Sequence, residues 1–285
     1  MAKPRVVNTQ FNDERLFFSD YTNHLLAEGD SWYGWAHLNL VPSSNVPDQL
    51  EFRDSTIIVN LAYSGDVMRN MSDTSANSLF YFELQGQRYH AILLSGGGND
   101  LIDALDGTNA ADGQPAIVVP RGRKRAGMAA SYVNATALQA LTDDVLAGYR
   151  RIIAQRDASD SNAHTPIVLH TYDYPTPRNA KATFMSSPAA GPWLLPAMQY
   201  AAVPANLYQG VTEIVFNALA DALIDNLHQP QNGVHVVNTR NTLERAKPGT
   251  TGLSGDWINE IHPDAYGYAL IGRKISALLA TLGIL

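Results

Sequence analysis

Four residues spread along the chain are of the types that acyl transfer by a serine requires. Ser31 supplies a hydroxyl, His262 an imidazole, Asn99 a side-chain NH₂ group, and Gly65 a backbone N–H with no side chain in the way. Serine catalysis needs a nucleophilic hydroxyl, an imidazole within hydrogen-bond reach, a group that orients the imidazole, and donors aimed at the developing oxyanion. The sequence therefore predicts that Ser31 attacks an ester carbonyl with His262 as the base.

Each of these stretches also has a plain structural interpretation. Ser31 follows Gly29 and Asp30, and Asn99 lies in a Gly-Gly-Gly-Asn-Asp loop. Gly, Asp, Asn and Ser are ordinary turn residues, so each stretch alone is typical of a turn. A single histidine is more often a surface or packed residue than a base. The residues together, in this order along one chain, favour the catalytic interpretation.

Five short apolar runs predict the strands that position these residues. They are rich in Val, Ile and Leu with little alternation, as expected of parallel strands covered on both faces. The runs span residues 24–27, 56–61, 90–95, 166–171 and 234–238. Helical periodicity marks residues 136–153, 211–227 and 263–282, with Pro263 in the first turn of the last helix. This alternation predicts an α/β fold whose functional groups collect beyond the carboxyl ends of the strands.

The composition is that of a globular protein. The chain has 285 residues, 45% of them hydrophobic, and its net charge of −7 makes nucleic acid an unfavoured partner. We predict one domain over residues 1–285, with long loop insertions near 103–132 and 173–210. No stretch has the length that spans a bilayer or the form of a signal peptide, so a cytoplasmic location is the default expectation and secretion stays open.

The sequence predicts neither a metal ion nor a cofactor. It has no cysteine, and its eight histidines form no His-x-x-x-His pair at helical spacing. Four of them are expected to be ordinary surface or strand residues: His164, His170, His228 and His235. The loop from Ser95 to Asp100 raises the alternative of a nucleotide-binding protein, but it lacks the glycine spacing and the lysine of the known phosphate loops. The expected partner is a small-molecule, glycan or lipid ester.

The same stretches resemble the four blocks of the SGNH hydrolases, also called GDSL esterases and lipases. The first block is matched by Gly29, Asp30 and Ser31, with a tryptophan where leucine is usual. Gly65 matches the second block, and Gly-Gly-Asn-Asp, ending at residue 100, matches the third. His262, followed by a proline, matches the last block. The resemblance extends over residues 25–282.

This resemblance implies both a fold and a set of roles. The fold is a three-layer α/β/α sandwich with a flavodoxin-like five-stranded parallel sheet. Ser31 is then the nucleophile and His262 the base. The oxyanion hole is formed by the N–H of Ser31, the N–H of Gly65 and the side chain of Asn99.

The chain departs from the family pattern at the acid. Three residues before His262, where the family has aspartate, this sequence has Asn259. An asparagine carbonyl can hold an imidazole but carries no charge to stabilise an imidazolium, and in a serine protease with a Ser-His-Asp triad an Asp-to-Asn change lowers turnover about ten-thousand-fold. Asp256 or Glu260 is an alternative acid, a backbone carbonyl is another partner in a Ser–His dyad, and a slow or inactive enzyme is the third possibility.

The substrate is less well indicated. We assign Asp30, Trp32 and Asp100, which adjoin the candidate catalytic residues, to substrate binding, although a large aromatic such as Trp32 is also typical of core packing. The candidate substrates are lipid esters, short acyl esters and acetylated carbohydrates, and transfer to an alcohol is a variant of the same chemistry. The alternative to an esterase is a binding module on the same fold, for which Asn259 is the motive.

Overall fold

Six parallel strands form the central sheet of the computed structural model, which describes residues 1–7, 18–34, 44–105, 115–119, 127–184 and 187–285. The strands are β1 (Arg5–Val7), β2 (Asn23–Gly29), β3 (Thr56–Asn60), β4 (Ala91–Ser95), β5 (Ile167–His170) and β8 (Val234–Val237). The prediction of five strands was therefore one short. The missing strand, β1, has three residues and an exposed first residue, so it gives no apolar run to detect.

The strand order across the sheet is β1-β3-β2-β4-β5-β8. Without the edge strand β1, this is the doubly wound 2-1-3-4-5 order of flavodoxin-like folds. The order reverses between β2 and β4, which pair in register from Leu25 with Ala91 to Gly29 with Ser95. Because ligands of open α/β sheets bind beyond the carboxyl ends of the strands at this switch point, the ends of β2 and β4 are the expected place for a site.

Helices cover both faces of the sheet. The longer ones are α4 (Ser78–Gly86), α6 (Ala135–Asp157), α8 (Tyr208–Leu227) and α9 (Ala265–Thr281), and the shorter ones are α1 (Ser31–Gly34), α2 (Val46–Gln49), α3 (Met68–Met71), α5 (Gly98–Asp103) and α7 (Leu195–Tyr200). Helix α6 packs against α3 and α8, whereas α9 packs against α2. The three-layer α/β/α class is confirmed. Within the described ranges, no helix combines the length and apolar character that crossing a membrane demands.

The two predicted insertions differ in content. The segment 103–132 falls partly outside the described residues, at 106–114 and 120–126. The segment 173–210 contains a two-stranded antiparallel hairpin of β6 (Ala182–Phe184) and β7 (Ser187–Ala190), followed by α7. The assignment of residues 1–285 to one domain stays a prediction.

The last helix begins two residues later than its sequence pattern predicted. Pro263 lies before the helix, Asp264 is the N-cap, and α9 starts at Ala265. The Asp264 carboxylate accepts the backbone N–H of Gly267 at 2.8 Å, which satisfies one of the N–H groups that a helix start leaves unpaired. This cap fixes where the chain enters α9, directly after the segment that carries His262.

We predict that Asp264→Ala lowers the free energy of unfolding by about 1 kcal/mol, because the Gly267 N–H loses its acceptor at the helix start. Urea titration of wild type and variant measures the difference. Asp144→Ala is the control: Asp144 is exposed in the middle of α6, and its replacement should change the unfolding free energy by less than about 0.5 kcal/mol. Equal effects of the two substitutions would contradict a capping role for Asp264.

Candidate active site

Ser31 occupies the turn between the central strand β2 and helix α1. It is the first residue of α1, so its N–H has no partner inside the helix, and it donates no hydrogen bond elsewhere in the described chain. The Asp30 carboxylate accepts the N–H of Trp32 at 3.0 Å and thereby shapes the turn. The Ser31 side chain is nearly buried, with 7% of the residue exposed. The strand thus ends by presenting a hydroxyl and a free N–H at the carboxyl edge of the sheet.

A chain of hydrogen bonds connects Ser31 with the segment that precedes α9. His262 Nε2 lies 2.9 Å from Ser31 Oγ, and His262 Nδ1 lies 3.0 Å from Asn259 Oδ1. The sequence-predicted pair is therefore in direct contact, and Asn259 occupies the position from which a third residue orients the imidazole. Burial lowers the pKa of His262 to about 3. The ring is accordingly neutral at ordinary pH.

The orientation of the Asn259 amide decides which ring nitrogen of His262 carries the proton. Asn259 Oδ1 also accepts the backbone N–H groups of Ile261 at 3.1 Å and of His262 at 2.9 Å. Since both N–H groups are donors, an oxygen and not an NH₂ group must stand at this end of the amide. The same oxygen faces His262 Nδ1, which must therefore hold the ring proton. Nε2 is left as an acceptor, directed at the Ser31 hydroxyl.

Buried side chains hold the His262 segment in place from outside. The Arg178 guanidinium donates to the carbonyl of Asn259 at 2.6 Å and to that of Trp257 at 3.3 Å. The Trp32 indole N–H donates to the carbonyl of Ile261 at 3.1 Å. These bonds fix the backbone on either side of the imidazole. The position of His262 therefore rests on several buried donors in addition to Asn259.

The two carboxylates considered as alternative acids have other partners. The Glu260 carboxylate accepts four backbone N–H groups, those of Arg178, Trp193, Leu194 and Leu195. Burial raises the pKa of Glu260, and the four N–H groups oppose that shift. The Asp256 carboxylate accepts the N–H of Glu244 at 2.6 Å. Glu260 thus ties the His262 segment to the start of α7, and Asn259 is the side chain placed at Nδ1.

The two residues predicted to be further oxyanion donors follow two other strands of the sheet. Gly65, after β3, is exposed, has φ +90°, and its N–H makes no hydrogen bond within the described residues. Asn99, in the first turn of α5 after β4, donates from Nδ2 to the carbonyl of Asp66 at 2.9 Å. That bond uses one of the two amide hydrogens and leaves the other for a ligand. The same bond attaches the loop that carries Gly65 to the side chain of Asn99.

The residues predicted to bind substrate have structural partners at the site. Asp30 accepts hydrogen bonds from Ser95 Oγ at 3.1 Å and from the hydroxyl of Tyr172, and its pKa rises to about 6 because burial outweighs these bonds. Asp100 accepts the N–H of Met68 at 3.0 Å, and burial raises its pKa to about 7. The Trp32 ring is 4% exposed. Contact of these three side chains with substrate stays a prediction.

A small cavity opens beside Ser31 and Asn99. Its free volume is about 20 Å³. The side chains of six residues form most of its apolar wall: Trp32, Ile102, Tyr172, Pro175, Phe216 and Ile261. Ser31, residues of α5 and Phe216 of α8 line this cavity together.

The structure adds residues to the site that sequence patterns did not single out. His170 is a strand residue, one of the two expected alternatives, and lies at the end of β5, where it is fully buried and stacks on Trp32 with ring centroids 5.7 Å apart. Burial lowers its pKa to about 4. Tyr172 and Asp173 follow it at the end of β5, so the rule of strand ends would have found all three. Arg178 has no comparable signal, because its acceptors lie more than 70 positions away.

The chain is similar to several solved structures, whereas no family model and no curated protein sequence matches it. The lipase Lip_vut3 from a goat rumen metagenome is 13% identical, with a TM-score of 0.52 over 92% of this chain and 98% of that chain. A possible lipase from Chitinophaga pinensis (11% identity, TM-score 0.45, 92% and 100% covered) and the acetylxylan esterase Axe2 from Geobacillus stearothermophilus (12%, 0.43, 93% and 95%) are also similar. The solved structure with the TM-score of 0.52 thus shares the α/β/α fold of this chain.

The buried carboxyl next to Ser31 gives a prediction for stability. The folded-state pKa of Asp30, about 6, lies above its unfolded value of 3.8, so its contribution to stability is full below pH 3.8 and is lost as the pH rises through about 6. Asp30→Asn removes this titration. As the pH rises between those two values, the free energy of unfolding of wild type should fall relative to that of the variant, by up to about 1.4 kcal/mol per pH unit. Urea titrations at a series of pH values measure the difference.

Asp144→Asn, at an exposed position of α6, is the control and should follow the pH dependence of wild type. A difference between wild type and Asp30→Asn that stays constant across this pH range would show that the carboxyl titrates normally in the folded protein.

Proposed function

We propose that the protein is a serine hydrolase of carboxylic esters, with Ser31 as nucleophile and His262 as general base. The observation that carries the proposal is the hydrogen-bonded series from Ser31 Oγ through His262 to Asn259, with distances of 2.9 and 3.0 Å. A hydroxyl, a base and a group that orients the base are the parts of a nucleophilic triad. They stand at the switch point of the sheet, where ligands of such folds bind.

The reaction follows from the positions of these atoms. His262 Nε2 accepts the proton of the Ser31 hydroxyl while Oγ attacks the ester carbonyl. The developing oxyanion is stabilised by the N–H groups of Ser31 and Gly65 and by the free hydrogen of the Asn99 amide. His262 then gives its proton to the leaving alcohol, and an acyl group remains on Ser31. A water molecule, deprotonated by the same imidazole, releases the acid and restores the hydroxyl.

A neutral residue such as Asn259 can fix the tautomer of His262, but it cannot stabilise the positive charge of the imidazolium. In a serine protease whose triad aspartate is replaced by asparagine, much of the loss comes from the wrong imidazole tautomer. Here two backbone N–H groups turn the Asn259 oxygen towards Nδ1, and this supports the tautomer that serves as a base. The imidazolium formed during the reaction lacks the stabilisation of a carboxylate at Asn259. We therefore expect an active enzyme with a modest rate.

The fold comparison is compatible with this chemistry. The structure with a TM-score of 0.52 is a lipase by name, which supports an ester bond as the target. The alternative, a binding module, rests on the uncharged Asn259. It predicts that a ligand binds without turnover and that Ser31 is not modified by reagents that require an activated serine. The two candidates thus differ in the reactivity of one hydroxyl.

We predict that a fluorophosphonate forms one covalent adduct on Ser31 and that Ser31→Ala abolishes both this adduct and ester hydrolysis. The reason is that His262 Nε2 activates the Ser31 hydroxyl. Intact-protein mass spectrometry with peptide mapping detects the adduct, and a panel of chromogenic esters measures hydrolysis. Ser64→Ala is the matched control, because Ser64 lies one residue before Gly65 and its hydroxyl has no hydrogen-bond partner in the described structure. Undiminished hydrolysis by Ser31→Ala would refute the proposal.

We predict that Asn259→Asp raises kcat/KM at about pH 8 and makes hydrolysis more sensitive to acid. The new carboxylate stabilises the imidazolium, so it increases the rate, by at most about 10⁴-fold, and raises the pKa of His262 above its present value of about 3. Because the base works when neutral, the variant should lose activity at a higher pH than wild type as the pH falls. Profiles of kcat/KM against pH for both proteins measure this shift, and coincident acidic limbs would contradict it.

A further inference from the structure

The cavity beside Ser31 lies on one side of the reacting bond. Among the described residues its lining includes Ser31 and Asn99 but not His262. His262 has Trp193 on its other side, with ring centroids 5.4 Å apart. Since His262 must give a proton to the oxygen of the leaving alcohol, the alcohol has to lie on the side of His262 and Trp193. The cavity is then on the side that receives the acyl group.

The size of the cavity limits what this acyl group can be. The free volume of about 20 Å³ compares with roughly 10–15 Å³ of such volume that a single water molecule needs. A methyl group is close to a water molecule in size. The narrow space next to Ser31 therefore fits the methyl of an acetyl group, whereas a longer acyl chain would have to displace a wall or extend out through the open side of the cavity.

Hydrogen bonds hold several walls of the cavity in place. The Trp32 indole is tied to the carbonyl of Ile261, and the Tyr172 hydroxyl is tied to Asp30. A Cβ atom on Gly98 would lie 2.9 Å from the Tyr172 ring, so this wall is already in tight contact. Moving the Trp32 or the Tyr172 wall outward would require breaking buried hydrogen bonds. Displacing such walls to make room for one more methylene group would be energetically unfavourable.

The neighbouring wall residue, Asp173, is fixed in the same way. Its carboxylate accepts four backbone N–H groups, those of Tyr174, Asn241, Thr242 and Leu243, at 2.7 to 2.9 Å. Of the remaining apolar wall residues, Ile102 on α5 is half-buried and Phe216 on α8 is 5% exposed, and both side chains are held by packing. Truncating either one enlarges the cavity without removing a hydrogen bond and without altering the segment next to His262.

We propose that the enzyme is specific for acetyl esters, with Ile102 and Phe216 setting the upper limit on acyl length. The proposal rests on the esterase function proposed above. Ser31 Oγ forms a bond to the acetyl carbonyl carbon as the bond to the alkoxy oxygen breaks, and the serine proton passes through His262 to the alcohol. Water then cleaves the acetyl–Ser31 ester and releases acetate. The alcohol part of the substrate lies outside this cavity.

The test compares kcat/KM for p-nitrophenyl acetate, butyrate, hexanoate and octanoate. One methylene too many in a hydrophobic pocket costs about 10- to 200-fold in kcat/KM, so wild type should favour acetate over butyrate by about 100-fold or more. Ile102→Ala should raise the butyrate-to-acetate ratio by about tenfold or more. Phe216→Leu is the second variant and should change the ratio in the same direction with less loss of buried volume.

Ile214→Ala is the matched control. Ile214 is a half-buried isoleucine on α8 that lines a different surface depression, so its truncation should leave the butyrate-to-acetate ratio of wild type unchanged. Equal kcat/KM of wild type for acetate and octanoate would overturn the acetyl specificity and leave the esterase standing. Unchanged ratios in both wall variants would overturn the assigned role of these residues. A wild type that hydrolyses no ester and takes no fluorophosphonate label would overturn the esterase and the specificity together.

Discussion

The hydrogen bond between His262 Nδ1 and Asn259 Oδ1 determines the chemistry that the rest of the site can perform. An imidazole with its proton on Nδ1 offers a lone pair at Nε2, and Nε2 is the atom that faces Ser31. The bond has this direction because two backbone N–H groups occupy the same oxygen of Asn259. Either oxygen of a carboxylate could accept the Nδ1 proton, so a carboxylate would need no particular orientation. An amide has only one oxygen, and here the two backbone N–H groups turn that oxygen towards His262.

Buried ionic groups hold the loops that surround this bond. Arg178 donates to backbone carbonyls of the His262 segment, and Glu260 and Asp173 each accept four backbone N–H groups. A charged group buried without such partners would cost several kcal/mol, so each of these side chains has its position dictated by the backbone around it. The loops in turn have their conformation dictated by the side chain. This mutual dependence gives irregular segments a definite geometry at the edge of a regular sheet.

Sequence patterns predicted the elements with strong periodicity and the residues at their ends. The five longer strands and the helices α6, α8 and α9 are present. Ser31 and Asn99 were expected at one edge of the sheet because they follow parallel strands, whose carboxyl ends lie at the same edge. The strand order followed from the family resemblance. Strand β1 was missed because three residues carry too little pattern.

The sequence did not predict which side chain contacts Nδ1 of His262. Asn259, Asp256 and Glu260 all lie within six residues of His262, and spacing alone does not tell which one faces the ring. The answer depends on the turn of the backbone and on distant groups, such as the N–H groups of Leu194 and Leu195 that engage Glu260. Those contacts join residues more than 60 positions apart. No local pattern encodes them.

The contact between Ser31 and His262 joins residues that are 231 positions apart. At a synthesis rate of about 5–20 residues per second, the ribosome makes the serine roughly 10–50 s before it makes the histidine. During that interval the Ser31 hydroxyl of the nascent chain has no imidazole partner, because His262 and Asn259 have not yet been added. In the proposed mechanism, the hydroxyl becomes reactive only when the segment that carries His262 has docked, so chemical reactivity and assembly of the site arise in the same event.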